Sequence, residues 1–390
     1  MNDPDSRYID ESMEESIQRH GRRRSRLLVL LVFLILGGAV LLFFLLRGHT
    51  FSEARLESTT ATGVFTGGQY ARFGDNVLRY TADGVCCLDE NAKELWNFTF
   101  ELTQPLLVIQ GDYGAIASAM GKTVCIFDKE GLCGVVTLND PLLNLTVSGK
   151  GLVAAVLDKG QTNRINFYDN RGKAVDIELS LEMSLSGYPL DLALSPSGEC
   201  LAVSTTNVEN GMICTRISFY NFSVGRGQAN RLVGYFRYED ILVPELEFLS
   251  ESEMLAVGSD RLLFYSLSDQ LRPALAAEHP MTRVRAVAVG SSRVAAVAQT
   301  AEEREVSLIL YSGSGSILLK EALSESCERL SLDQGYLLLQ TASGLTLRDA
   351  SGGRLRFSGT LEKTGRDLYV LGRRTLLQWD GRTLYRYRLK

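Results

Sequence analysis

Histidine is nearly absent from this chain: there are three in 390 residues, at positions 20, 49 and 279. Only His279 lies in the repetitive part described below, which argues against a His-based metal site or a Ser-His-Asp triad there. Tryptophan is rarer still, with Trp96 and Trp379 alone. After residue 66 no segment carries apolar residues at helical spacing, so no amphipathic helix is expected there. The seven cysteines, at 86, 87, 125, 133, 200, 214 and 327, match no zinc pattern. Cys125 and Cys133 are too far apart for C-x-x-C, and no histidine accompanies them. A formal net charge of −5 offers no surface for nucleic acid.

One long apolar run is present. Residues 27–46 read LLVLLVFLILGGAVLLFFLL, twenty residues without a charge. As a helix rising about 1.5 Å per residue, this run matches the roughly 30 Å hydrocarbon thickness of a bilayer. It exceeds the apolar core of a signal peptide, and no small-x-small cleavage site follows. Five arginines between Arg19 and Arg26 precede it, against Arg47 alone just after it. The positive-inside rule then keeps the N-terminus in the cytoplasm and places the remainder outside. The expected organisation is a cytoplasmic tail over 1–26, a transmembrane helix over 27–46, a linker over 47–58 and an extracytoplasmic domain over 59–390.

From Gly67 onward, short apolar runs alternate with turns rich in Gly, Asp, Asn and Ser. Strand-turn copies recur with their marker strands at 85–89, 124–128, 165–169, 217–221, 262–266, 307–311, 345–349 and 384–388. Their mean spacing of about 43 residues is that of four-stranded propeller blades. Runs such as Leu152 to Leu157 are apolar on both faces, so one such sheet cannot bury itself alone and must stack on neighbours. The expected fold is all-β: an eight-bladed β-propeller, with seven blades as the runner-up. The chain ends just after the eighth marker, so residues 59–66 are expected to supply the missing outer strand of the last blade. The longest interval, between 169 and 217, holds an insertion at residues 182–189 or 207–212.

Little chemistry stands out. Asp89, Asp128, Asp169 and Asp349 recur at one position of the repeat, where each is expected to cap its own turn rather than to bind calcium. Cys86 and Cys87 are neighbours on a strand and point to opposite faces. Cys200 and Cys214 flank a hairpin and could pair across it, or could be small buried hydrophobes. Gly313-Ser314-Gly315-Ser316 has no lysine and no following helix, so it reads as a hairpin turn rather than a phosphate loop. The aromatic stretch 232–238 is expected to lie in a blade interface. Glu245, Glu247 and Asp240 are the nearest thing to a carboxylate cluster. No catalytic, cofactor-binding or metal-binding residue is assigned.

The segment Leu88-Asp89-Glu90-Asn91-Ala92-Lys93-Glu94-Leu95-Trp96 resembles the repeat of quinoprotein-type propellers, apart from Ala92 in the glycine place. The whole chain resembles an uncharacterised family of single-pass membrane proteins from Gram-positive, clostridial-type bacteria with a quinoprotein-like ectodomain. Quinone-binding members are rich in tryptophan and this chain is not, so no cofactor is expected. That resemblance identifies the fold and not the activity; with a large rigid surface and no catalytic set, the expected function is a non-enzymatic, membrane-anchored extracytoplasmic binding or scaffold module. Its expected partners are the bilayer, through residues 27–46, and a protein or glycan. The alternatives are an extracellular glycan hydrolase or lyase, which needs paired carboxylates near the ring axis, and a sensor acting through a cytoplasmic partner.

Overall fold

The computed structural model describes residues 32, 36–38, 50–61, 68–223, 231–267, 272–290, 292–303, 305–365, 367–371 and 374–390. It divides into two units, Met1–Thr50 and Phe51–Lys390. In the first, Val32, Leu36, Gly37 and Gly38 are helical. The rest of the expected span 27–46, like the tail before it, lies outside the described residues. Among the described residues no helix is long and apolar enough to cross a membrane.

The second unit is all-β. Its described residues form thirty-one strands, from β1 (Ala54–Ala61) to β31 (Thr383–Leu389), and one helical turn, α1 (Met183–Ser186). The strands form seven sheets, six of four strands and one of seven. Each four-stranded sheet is an antiparallel meander or, in one case, a meander completed by β1. All eight marker positions fall on strands. The seven-stranded sheet is joined through β21 (Pro273–Gly290), an 18-residue strand. Its first part pairs with β20 (Arg261–Leu267) as far as Arg261 opposite Pro280; from Met281 onward it pairs with β22 (Arg293–Thr300).

Both faces of the sheets are buried, as the two-sided apolar runs require. In β11 (Val153–Leu157), Val153, Ala155 and Leu157 enter one core cluster while Ala154 and Val156 enter another. Cys86 and Cys87 on β4 (Gly84–Leu88) divide in the same way. Each fully buried Val, Leu or Phe contributes roughly 1.5–3 kcal/mol, and these clusters lie between neighbouring sheets rather than within one. Stability therefore comes from stacking the sheets on one another.

The aspartates of the repeat close their own turns. Asp89 Oδ1 accepts the backbone N–H groups of Asn91 and Lys93, each at 2.8 Å, and Asp169 Oδ1 accepts those of Arg171 and Lys173 at 3.0 and 2.8 Å. Asp128 and Asp349 do the same for the residues that follow them. Ala92, standing in the glycine place, is forced to φ +62° where its counterpart Gly172 sits at +81°. That left-handed conformation costs a residue with a Cβ about 1 kcal/mol. Trp96, on β5 (Glu94–Thr99), docks on the next sheet: its indole N–H donates to the Lys129 carbonyl at 2.8 Å and its ring meets Phe127.

Two expectations are corrected, and one open alternative is decided. The strand that completes the last sheet is β1, pairing antiparallel with β31 from Ala54 opposite Leu389 to Ala61 opposite Thr383. It therefore begins earlier than the expected residues 59–66, and residues 54–58 belong to the sheet rather than to a linker over 47–58. The alternation Ala54, Leu56 towards the core with charges between them hid this strand among polar residues. Phe51 reaches further, bridging to Phe357 of a neighbouring sheet. The cysteines at 200 and 214 are free and buried. They sit at opposite ends of the hairpin, since Cys200 faces Asn221 while Cys214 faces Asn207. Both candidate insertion points are real features: α1 occupies the first, and the second is the tip of an extended hairpin of β15 (Cys200–Glu209) and β16 (Met212–Asn221).

Candidate functional site

The first strands of successive sheets line a cavity of about 520 Å³. They are β6 (Pro105–Gln110), β10 (Leu142–Val147), β14 (Tyr188–Leu194), β18 (Glu245–Phe248) and the second part of β21. Three of these segments carry a bulge near their start, the second part of β21 among them. The register shifts between Leu142 and Asn144 on β10, and between Pro189 and Asp191 on β14. A bulge re-aims the side chain that follows it, and here it brings Asn144 and Asp191 together. Asn144 Nδ2 donates to Asp191 Oδ1 at 3.0 Å, and the backbone N–H of Leu246 donates to Asp191 Oδ2 at 2.7 Å. One carboxylate thus ties three consecutive strands. Nearby, Gln110 Nε2 donates across to the Leu194 carbonyl at 3.1 Å.

On β18 the period-two alternation puts Leu246 and Phe248 into the core and Glu245 and Glu247 on the other face. Glu247 lines the cavity beside Asp191. Solvent reaches it within the cavity, but the surrounding protein limits the hydration of its charge. Burial pushes its carboxyl up to about 7, helped by the negative charges of Glu245 and Asp191. Burial likewise pushes Asp191 up to about 6, against the pull of the Leu246 and Leu192 N–H groups and of Asn144. Glu245 is raised by burial as well.

The first strands of three other sheets are charge-balanced. Arg72 on β2 (Gln69–Phe73) pairs with Asp333 on β25 (Cys327–Asp333) at 2.9 Å, and Arg329 on β25 pairs with Asp367 on β29 (Asp367–Leu371) at 2.7 Å. None of the ion pairs among the described residues includes Asp191, Glu245 or Glu247. Among the described residues no group of three or more His, Cys, Asp and Glu side chains is placed to hold a metal ion.

The two glutamates singled out in the sequence do come together, but Asp240 does not join them. It occupies a turn at φ +57° and its N–H is bonded to the Ile213 carbonyl. Asp191, the third member, was missed. It lies more than fifty residues before Glu245, and its only local sign is the Pro189 that precedes the bulge. His279, the one histidine of this unit, is structural: its Nε2 contacts the Gly315 carbonyl at 2.7 Å and its ring lies between Phe264 and Tyr311.

This cluster has a pH signature. Acids whose folded values are raised favour the fold while protonated. Their stabilisation is complete below the ordinary carboxylate value of about 4 and is lost as pH rises through 6 to 7. Glu247→Gln removes the larger share of the strain at neutral pH. Thermal melts at pH 4.5 and 7.5 should show the variant gaining on the parent protein at the higher pH and matching it at the lower. A constant difference at both would mean that Glu247 is not held in a poorly hydrated, like-charged setting.

A ring of four-stranded antiparallel sheets with first strands around a common cavity is the architecture of a β-propeller, and the class of this protein is set by it. Residues 47–384 match the model of a family of unknown function (DUF5711), and the chain belongs to that family. A comparison with curated proteins found no match. Among solved structures, the chain is similar to Sqt1 of Saccharomyces cerevisiae, with a TM-score of 0.52 and 11% identity over 88% of this chain and 99% of that one. It is also similar to AztD of Citrobacter koseri, with a TM-score of 0.51 and 12% identity over 76% of this chain and 87% of that one. BamB of Moraxella catarrhalis aligns with a TM-score of 0.48 and 12% identity over 86% of this chain and all of that one. At such identities the first two likenesses show the fold alone.

Proposed function

We propose that this protein is a membrane-anchored, extracytoplasmic eight-bladed propeller that holds a protein or glycan partner and performs no chemistry. The count of eight follows if the seven-stranded sheet is read as two blades sharing β21, whose halves pair with different neighbours. The observation that carries the binding reading is the clasp of β1 on β31. It makes the ring one rigid body and brings Ser52 to the Lys390 carbonyl at one end of the last blade. A rigid ring with two broad ends suits holding better than turnover, which calls for moving lids or closing loops. The anchor rests on residues 27–46 and the arginines before them.

Two measurements test it. Protease added to intact cells should degrade the part after residue 47 and spare the tail; complete protection would reverse the assigned sidedness. Photocrosslinkers placed at Glu130 and at Ser343 sample opposite ends of the ring, because consecutive hairpin turns alternate ends. Both positions are exposed. An adduct with one partner from one end is expected in native membranes. Equal, diffuse labelling at both ends would remove the support for a dedicated binding face.

A further inference from the structure

A second cavity, of about 380 Å³, lies on the flank of the ring between β13 (Ala174–Glu182) and the sheet of β15 and β16. Its wall is rich in hydroxyls: Ser186 from α1, Thr205 from β15, and Ser218 and Tyr220 from β16. Arg216 enters it from β16. Residues 216, 218 and 220 alternate onto one face of that strand, which is why a single short segment supplies the cation and two hydroxyls.

The charge of Arg216 is not neutralised by the described residues. None of their ion pairs includes it, and the nearest carboxylate of the wall, Glu178, is engaged with Arg164 at 3.1 Å. Its guanidinium instead lies 4.3 Å over the ring of Tyr235. That stacking holds the plane of the fork and leaves its N–H donors available. The Tyr220 hydroxyl lies close enough to Arg216 and Ser218 for both to lower its proton affinity against burial. Tyr235 belongs to the aromatic stretch 232–238. Phe236 of that stretch does pack into a core cluster, whereas Tyr235 remains 52% exposed and Leu232 40% exposed at the lip.

We infer that this flank cavity binds a small carboxylate-bearing carbohydrate, with Arg216 taking the carboxylate and Ser186, Ser218 and Tyr220 taking hydroxyls. One uncompensated cation matches one carboxylate, whereas a phosphate monoester brings a charge of roughly −1.5 to −2. Hydroxyl groups both donate and accept, as a polyol requires. Leu179, Leu181 and Leu232 offer the apolar contacts that the C–H face of a sugar ring needs. The volume stands near the small end of the roughly 300–1,000 Å³ range of ligand sites, which suits one sugar residue rather than a chain. The assignment rests on the reading of this protein as a binding module. It fails separately from that reading, because small-ligand affinity and end-face crosslinking are different measurements.

The test is calorimetric titration of the full-length chain, purified in mild detergent, with sodium glucuronate, glucose and inorganic phosphate. Glucuronate should bind and glucose should bind at least about tenfold more weakly, the share of a charge-assisted hydrogen bond. Arg216→Gln should weaken glucuronate about ten- to a hundredfold with the melting temperature unchanged, and Arg216→Lys should recover part of the loss. Should the glutamine variant fold poorly, Ser186→Ala, on the helical turn at the wall, should still cost about two- to tenfold. Four results would overturn the inference: no glucuronate binding up to about 10 mM, glucose binding as well as glucuronate, phosphate binding more tightly than either, or folded variants with unchanged affinity.

Discussion

A chain shortened to begin at Gly67 should melt far below one that begins at Gly48, or should aggregate. The difference is β1. Without it, β31 becomes an open edge, and the row from Thr383 to Leu389 loses its antiparallel partner. Tyr387 and Leu389, each almost wholly buried, lie on that strand. Ala54 and the half-buried Phe51 and Leu56 pack into the same cluster with Leu368, Val370 and Leu376. Net hydrogen-bond contributions of roughly 0.5–1.5 kcal/mol each, over several pairs, add to lost burial and to an unpaired edge prone to association. At about 2–4 °C per kcal/mol for chains of this order, the expected drop is about 10 °C or more. A synthetic peptide covering residues 51–66, added in trans, should recover part of it. Equal melting temperatures for the two chains would show that β1 is a tether and not a clasp.

The second large effect lies at the junction of the first and last sheets. Trp379 is 1% exposed and its ring centroid is 4.3 Å from that of Tyr70 on β2. It shares a core cluster with Leu371, Leu377 and Leu384 of the last sheet and Val77, Cys86 and Leu88 of the first. The burial that surrounds Tyr70 pushes its hydroxyl up to about 12. Trp379→Ala opens a cavity where the ring meets itself and should cost about 3–5 kcal/mol. Trp379→Phe should cost less than half of that, since most of the contact remains. Differential scanning calorimetry distinguishes the cases. A fall of under about 2 °C for the alanine variant would mean that the junction does not depend on this side chain. Trp96→Ala, whose indole is half-buried and holds a single bond to the Lys129 carbonyl, should be milder than Trp379→Ala.

Much of this was legible from residues alone. Asp at the end of a strand, followed two to four residues later by the N–H groups it accepts, is a local geometry, so Asp89 and Asp169 announced their turns. Two-sided apolar runs such as that of β11 are likewise local, and they required sheets stacked on both sides. The cavity was less legible. Glu245 and Glu247 stand out because they are two residues apart in the chain, but Asp240, five residues before Glu245, turns away with its own turn. Asp191 entered from another strand through a bulge, and Arg216 acquired its meaning only when β13 was packed across from it.

The sequence by itself determined an all-β repeat, the positions of its marker strands, the aspartate turns and an uncharged run of twenty residues before it. Each of these is carried by period-two alternation, turn chemistry or composition within a few residues. Tertiary structure alone decided that Ala54 rather than Thr59 opens the closing strand, that β21 serves two neighbours, that Asp191 joins the glutamates and that Arg216 enters a hydroxyl-rich cavity. Those outcomes depend on which distant strands stack and in what register. Register is chosen by the summed burial of whole sheets, which no short window of sequence contains.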